Sequence, residues 1–192
     1  MVSPYEKCPV YENENYLLKL VDMSDAPDLL LVYSDEKAVP FFNSDNCGGD
    51  DFYYTSLERM QSAIDYWLWE YQREGFVRWT IYDKKIQHAI GTIELFHRRS
   101  DDYFNHCGLL RLDLRSDYEQ SEKILEILSL ITLPAFDVFE CKTIATKVLG
   151  FASERKSALE KMGFIASEEK LIGGHDREIY TDYYILQNNI KA

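Results

Sequence analysis

Three strand-like segments follow one another in the middle of this chain, and they constrain its fold more than any other feature. Residues 76–82 and 89–96 alternate apolar with polar side chains, and the short connection between them predicts a hairpin. Residues 108–114 alternate more strictly, with three leucines on one face and Arg111 and Asp113 on the other. Strands joined in this way indicate a largely antiparallel sheet at the centre of the fold.

Helix signals precede these strands. A first strand is expected over residues 15–21 and a first helix over residues 26–33, where a proline suits the opening turn. A capping box at Thr55 and Glu58 predicts the start of a second helix. Apolar residues then recur every three or four positions, and Gly75 ends the pattern.

A second capping box, at Ser116 and Glu119, predicts a third helix that ends at Pro134. A strand over residues 142–149 follows, then a helix over 153–162 with a glycine after it. The last strand is expected over residues 178–187, with one more short strand near Leu171.

This order predicts a mixed α/β sheet, mostly antiparallel, with helices on both faces. No linker rich in Gly, Pro or Ser interrupts the chain. We therefore expect one domain over residues 1–192, with residues 1–13 as an N-terminal extension.

The chain is acidic, with 33 acidic and 21 basic residues and a formal net charge of −12. Such a surface repels phosphate backbones, so we expect no nucleic-acid partner. It would favour a cationic partner, for example an amine acceptor, although solubility is the simpler explanation of the charge alone. The four cysteines and four histidines show no metal-ligand spacing, and no segment has signal-peptide or membrane-span character. These features predict a cytoplasmic protein without a metal or membrane association.

Several stretches resemble the GNAT acetyltransferases, most closely the branch that acetylates protein N-termini and small amines. Residues 15–33 resemble the opening pattern of that family, and residues 90–93 (IGTI) resemble its third strand. The segment 157–164 (SALEKMGF) is similar to its C-terminal signature, and residues 182–184 resemble its last strand. The likeness spans nearly the whole chain.

The resemblance implies a function as well as a fold. Acetyl-CoA is expected to bind where the sheet splays open, between the strands near 108–114 and 142–149. Backbone N–H groups at Leu112 and Leu114 would polarise the thioester carbonyl, and a small-molecule or peptide amine would attack it directly in a ternary complex. The family also often forms homodimers. We therefore expect an acyl-CoA-dependent N-acetyltransferase.

Two carboxylates are candidate general bases. Glu94 lies in the third strand, where it could face the cleft, although an outward-facing strand residue is an equally simple interpretation. Asp113 lies beside the expected splay, but it could instead pair with Arg111 or Arg115.

The segment expected to hold the donor's pyrophosphate departs from the family pattern. A helix N-terminus binds phosphate through bare backbone N–H groups with little bulk over them. Here the six positions, flanked by Arg115 and supported by Ser157, are Glu119, Gln120, Ser121, Glu122, Lys123 and Ile124. The glutamates would repel phosphate and Ile124 would add bulk. The alternative is therefore a GNAT-fold protein that has lost acetyl-CoA binding and serves as a binding or regulatory module.

The acceptor amine is expected to meet the loop over residues 41–51. Its polar and acidic side chains suit a cationic substrate, and the candidate binding residues are Phe42, Asn43, Asp45 and Asn46. A turn-rich loop exposed to solvent has the same composition, so both interpretations stay open.

Overall fold

A computed structural model describes residues 3–188. Within this range the chain forms an α/β fold around one open sheet of eight strands, with a separate pair of short strands beside it. The extension expected over residues 1–13 is therefore described from Ser3 onward, and residues 189–192 lie outside the described range. Among the described residues, no helix is both long and apolar enough to cross a membrane.

The strands alternate with helices much as the sequence predicts. The strands are β1 (Tyr11–Glu12), β2 (Tyr16–Leu20), β3 (Val77–Asp83), β4 (His88–Arg98), β5 (Cys107–Leu114), β6 (Thr143–Lys147), β7 (Ile165–Ala166), β8 (Leu171–Ile172), β9 (Ile179–Tyr180) and β10 (Tyr183–Gln187). The helices are α1 (Ala26–Tyr33), α2 (Leu57–Gln72), α3 (Ser121–Val138) and α4 (Ser153–Lys161). The main sheet has the order β1-β2-β3-β4-β5-β6-β10-β7, and only β5 and β6 run parallel.

Each face of the sheet has its own core. The leucines of β5 pack with α3 and α4 in a wholly apolar core that includes Ile124 and Leu159. The opposite face packs against α1 and α2 through a second apolar cluster centred on Tyr33 and Trp67. All eight β5 residues are buried, so the charged side chains that alternate with its leucines lie inside the protein.

The parallel pair β5 and β6 opens after only three residue pairs. The register runs from Gly108 opposite Ile144 to Leu110 opposite Thr146 and then stops. The backbone N–H of Arg115 donates to the Ile90 carbonyl on β4, 2.9 Å away. Because successive residues of a strand point their backbone groups to opposite sides, the N–H and C=O groups of Leu112 and Leu114 face the opening. The predicted mixed sheet and its splay are thus confirmed.

Four details of the predicted elements are wrong. Ser56, not Thr55, caps α2, and its hydroxyl accepts from the Arg59 N–H. Residues 116–118 form a separate 3₁₀ turn, and α3 begins only at Ser121 because Glu119 turns away to pair with a residue of α4.

Pro134 does not end α3, which continues to Val138. Ala135 and Phe136 lie in the core, and their burial offsets the hydrogen bond that proline removes. The final strand divides into β9 and β10, because Asp182 adopts a left-handed backbone conformation with φ of 68°.

Candidate active site

A cleft of about 830 Å³ opens between α2, the loop after α1 and the strands β3 to β5. Its walls combine aromatic side chains, such as Phe52, Trp67 and Phe96, with charged side chains of α2, such as Arg59 and Glu70. Charged side chains from the three strands close its lower end. A pocket of this size with aromatic walls and several charged groups has the character of a small-molecule or peptide site.

A group of four charged residues, here called the cleft floor, closes the end of the cleft. Arg78, Glu94 and Arg111 line the cleft, and Asp113 lies behind them. Register explains their meeting, since Glu94 lies directly opposite Arg78 on β3 and opposite Arg111 on β5. One carboxylate oxygen of Glu94 pairs with Arg78, and the other accepts from Arg111 at 2.6 Å. Both guanidinium groups therefore bind the carboxylate that faces the cleft.

Asp113 lies behind this pair and does not line the cleft. Its carboxylate accepts hydrogen bonds from Arg78 at 3.0 Å and from the Tyr33 hydroxyl at 2.8 Å. Its second oxygen has no hydrogen-bond partner among residues 3–188. Asp113 thus fixes Arg78 from below, and it pairs with neither of the arginines that the sequence suggested.

The two carboxyl groups have opposite pKa shifts. Burial favours the neutral acid of Glu94, but the neighbouring guanidinium groups of Arg78 and Arg111 outweigh burial and lower its pKa. Burial raises the pKa of Asp113, although Arg78 and Tyr33 act against it. Glu94 is therefore a carboxylate at neutral pH and a weak base.

The beginning of α3 is closed by carboxylates of the chain itself. The Ser121 N–H, in the first turn, donates to the Glu154 carboxylate of α4 at 2.8 Å. Glu119 pairs with Arg155, whose Nε donates to it at 2.9 Å. Arg155 is 5% exposed and also donates to the Phe41 carbonyl at 2.9 Å. We call Glu119, Ser121, Glu154 and Arg155 the helix-end cluster.

The other positions predicted to bind the donor are distributed around this cluster. The Ser121 and Ser157 hydroxyls lie 3.1 Å apart, and Ile124 is buried in the apolar core rather than over the helix end. Glu122 is exposed. Arg115 pairs with Asp117, while the Gln120 side chain and Lys123 both donate to the Asp117 carbonyl, at 3.0 and 2.9 Å.

The loop after α1 crosses the edge of the splay instead of extending into solvent. Asp45 pairs with Lys147, the last residue of β6, with both oxygens 2.7 Å from Nζ. The Tyr183 hydroxyl donates to Asp45 at 3.0 Å, and Arg111 donates to its backbone carbonyl at 2.8 Å. The expected acceptor loop is therefore held beside the point where β5 and β6 separate.

The other three predicted acceptor residues have different surroundings. Asn46 lines the cleft, and its N–H donates to the Tyr180 hydroxyl at 3.0 Å. Phe42 packs on Tyr33 with ring centroids 5.3 Å apart, and Asn43 is buried beside Tyr183. Of the four, Asn46 lines the cleft, whereas Phe42, Asn43 and Asp45 do not.

Sequence reasoning missed four residues of the site: Arg78, Arg155, Glu154 as a ligand of α3, and Lys147. A signal existed for Arg78 alone, because an arginine within an otherwise apolar strand needs a buried carboxylate partner. The others depend on how α4 and β6 pack against the rest of the fold.

Comparisons with known proteins agree on the fold. No protein-family model matches the sequence, and no curated protein matches it significantly. Among solved structures, a ribosomal-protein-S5-alanine acetyltransferase from Vibrio fischeri gives a TM-score of 0.70 at 16% identity, over 95% of this chain and 98% of that chain. A ribosomal L7/L12 alpha-N-protein acetyltransferase in complex with coenzyme A gives 0.69 at 12%, over 95% and 100%.

An acetyltransferase of the GNAT family from Bacillus anthracis is also similar, with a TM-score of 0.66 at 12% identity, over 93% of this chain and 98% of that chain. Sequence identities this low support the fold alone. The fold inferred from the sequence is therefore confirmed.

Proposed function

We propose that this chain, which has the fold of the GNAT acetyltransferases, transfers an acetyl group from acetyl-CoA to a primary amine. The observation that carries the proposal is the parallel pair β5–β6, which stops after three residue pairs beside a cleft of about 830 Å³. An open strand edge next to a cleft offers backbone donors to one substrate and side chains to the other. The coenzyme A bound to one similar acetyltransferase supports the same donor here.

The strand edge suits the donor. The outward N–H groups of Leu112 and Leu114 are free of β6 pairing and can hydrogen-bond to a thioester carbonyl or an amide arm. The helix end suits it less well, because Glu154 already accepts from the Ser121 N–H. The donor's thioester is the activated acyl group, and the chain's part is to orient its carbonyl.

The cleft suits an amine acceptor. Glu94 is ionised at neutral pH because Arg78 and Arg111 lower its pKa, and its charge offsets the two guanidinium groups that would otherwise repel an ammonium group from the cleft. Its weak basicity means that the departing proton goes to water instead of remaining on Glu94. Asp113 acts as a positioning residue, since it holds Arg78 and does not line the cleft.

The aromatic walls favour an acceptor with apolar groups next to its amine, for which a peptide N-terminus is one example. The similar proteins are named for acting on ribosomal proteins, which supports including peptides among the acceptors tested.

The test is release of free coenzyme A thiol from acetyl-CoA in the presence of a panel of peptides and small amines, with mass spectrometry of the acceptor. We expect at least one acceptor to be acetylated, at a rate that rises with pH as the amine loses its proton. Glu94→Gln should lower kcat/KM by about 10- to 100-fold, since it leaves two unbalanced guanidinium charges that repel the ammonium group.

The matched control is Glu58→Gln, which removes an exposed carboxylate from the first turn of α2 and should leave kcat/KM unchanged. Thermal unfolding of each variant separates loss of activity from loss of fold. If no acceptor is acetylated and no thiol is released, the proposal is wrong. The second function, a binding module, would then gain support from the carboxylate at the start of α3.

A further inference from the structure

A carboxylate of the chain itself, that of Glu154, already occupies the N-terminus of α3. Glu154 extends from the first turn of α4 and accepts from the Ser121 N–H at 2.8 Å. The adjacent Ser121 hydroxyl is 3.1 Å from the Ser157 hydroxyl and accepts from Lys161 at 3.2 Å. The backbone N–H, the two hydroxyls and the lysine are the groups that bind phosphate in other proteins.

A second carboxylate neutralises the remaining cation of this region. Arg155 makes bidentate contact with Glu119, and both side chains are 6% exposed. Arginine binds carboxylate and phosphate through the same fork of N–H groups. The Ser121 N–H and the Arg155 guanidinium are therefore both matched by carboxylates of the protein.

This arrangement conflicts with a phosphate ligand at the same place. A helix N-terminus attracts one negative charge through its dipole. Two negative charges about 5 Å apart repel each other. A pyrophosphate at this helix end therefore competes with the Glu154 carboxylate.

Glu154 can leave at the cost of one hydrogen bond to a backbone N–H. The residue is exposed, and the Ser121 N–H is its one partner found among residues 3–188. Glu119 differs, because its carboxylate is buried against Arg155. Between the two, Glu154 is the group that an incoming anion would displace.

We propose that Glu154 is an internal competitor for the donor's phosphates and that it sets the donor affinity of this chain. The inference rests on the proposed function for the identity of the donor. If Glu154 competes in this way, the pantetheine arm along β5 supplies most of the donor's binding affinity. The nucleotide end of the donor then contributes little. Displacing Glu154, or removing its charge, converts the helix end into a phosphate site.

The experiment compares coenzyme A with pantetheine by calorimetric titration of the full chain. Four proteins are needed: the wild type, Glu154→Gln, Glu154→Ala and Glu160→Gln. Glutamine keeps the shape of Glu154 without its charge, and alanine exposes the Ser121 N–H. Glu160→Gln is the matched control, because it removes one exposed carboxylate from the same helix away from Ser121.

We expect both Glu154 variants to bind coenzyme A about tenfold more tightly than the wild type, with pantetheine affinity unchanged. The gain should shrink as salt is added, because the competing charge is exposed. Glu160→Gln should bind both ligands as the wild type does. Thermal melts check that each variant is folded.

The possible failures are distinct. If the wild type binds coenzyme A far more tightly than pantetheine and the Glu154 variants do not differ from it, the competitor is refuted while the proposed function stands. An equal gain in Glu160→Gln also refutes it, since the effect would then be general charge. If all four proteins bind neither ligand at millimolar concentration, the proposed function is wrong. The proposed competition between Glu154 and the donor's phosphates is then wrong as well.

Discussion

The cleft floor and the helix-end cluster are built from the same chemistry but have different consequences. Both place arginine against carboxylate next to the splay. In the cleft floor, Arg78 and Glu94 are each 1% exposed, and both oxygens of Glu94 are matched. In the helix-end cluster, Glu154 is exposed and makes one hydrogen bond to a backbone N–H.

Burial decides what each group does. A carboxylate that water cannot reach must keep its partner, so the cleft floor fixes the geometry of β3, β4 and β5. An exposed carboxylate can exchange its partner for water or for another anion at small cost. The cleft floor is therefore expected to govern folding as well as acceptor binding, and the helix-end cluster is expected to govern donor binding.

The largest expected effect comes from removing the arginine of the cleft floor. Arg78→Met leaves Glu94 with one guanidinium and Asp113 with none, so the free energy of unfolding should fall by about 3–5 kcal/mol. Arg155→Met should cost about half as much, because it removes the ion-pair partner of one carboxylate, Glu119, whereas Arg78→Met affects two. Urea denaturation measures both losses of stability. Equal losses would contradict the expected difference between the cleft floor and the helix-end cluster.

A pH titration of stability separates the two carboxylates within the cleft floor. Since the folded state lowers the pKa of Glu94, its contribution is complete above its ordinary pKa of about 4.5 and is lost as pH falls through the lower folded value. Glu94→Gln should therefore cost about 3 kcal/mol at neutral pH and much less in acid.

The contribution of Asp113 to stability should depend on pH in the opposite direction. Because burial raises its pKa above 3.8, its contribution is greatest in acid and declines as pH rises through the folded value. The difference in stability between the wild type and Asp113→Asn should accordingly shrink with rising pH. Parallel pH profiles for the two variants would contradict the assignment.

The smallest effect is expected at the edge of the helix-end cluster. Ser157→Ala removes a hydroxyl 3.1 Å from the Ser121 hydroxyl, which keeps a donor in Lys161 at 3.2 Å. We expect a loss of less than about 1 kcal/mol by urea denaturation. A larger loss would mean that the helix end is as rigid as the cleft floor.

The sequence predicted the sheet well because its alternation is strict. Leucine on every second position of β5 requires one apolar face, and the structure places that face against α3. The same alternation put Arg111 and Asp113 together on the other face. Their actual partners could not be predicted, because they depend on the register of β3 against β4, which two strands of similar pattern leave undefined.

The helix end was harder to predict for a related reason. The six positions from Glu119 to Ile124 were identified as unusual, but the ligand of Ser121 lies 33 residues further along the chain. Only the packing of α4 against α3 brings Glu154 there. The prediction that α3 ends at Pro134 failed for a similar reason, because burial of the next turn outweighs a local signal to end the helix.

We propose that the chain holds acetyl-CoA along β5 while the helix end resists its phosphates. The most direct test is a calorimetric titration of the wild-type chain with acetyl-CoA. We expect saturable binding with one site and a dissociation constant in the high micromolar range. Absence of binding at millimolar acetyl-CoA would contradict the acetyltransferase function, and nanomolar binding would contradict the competing carboxylate.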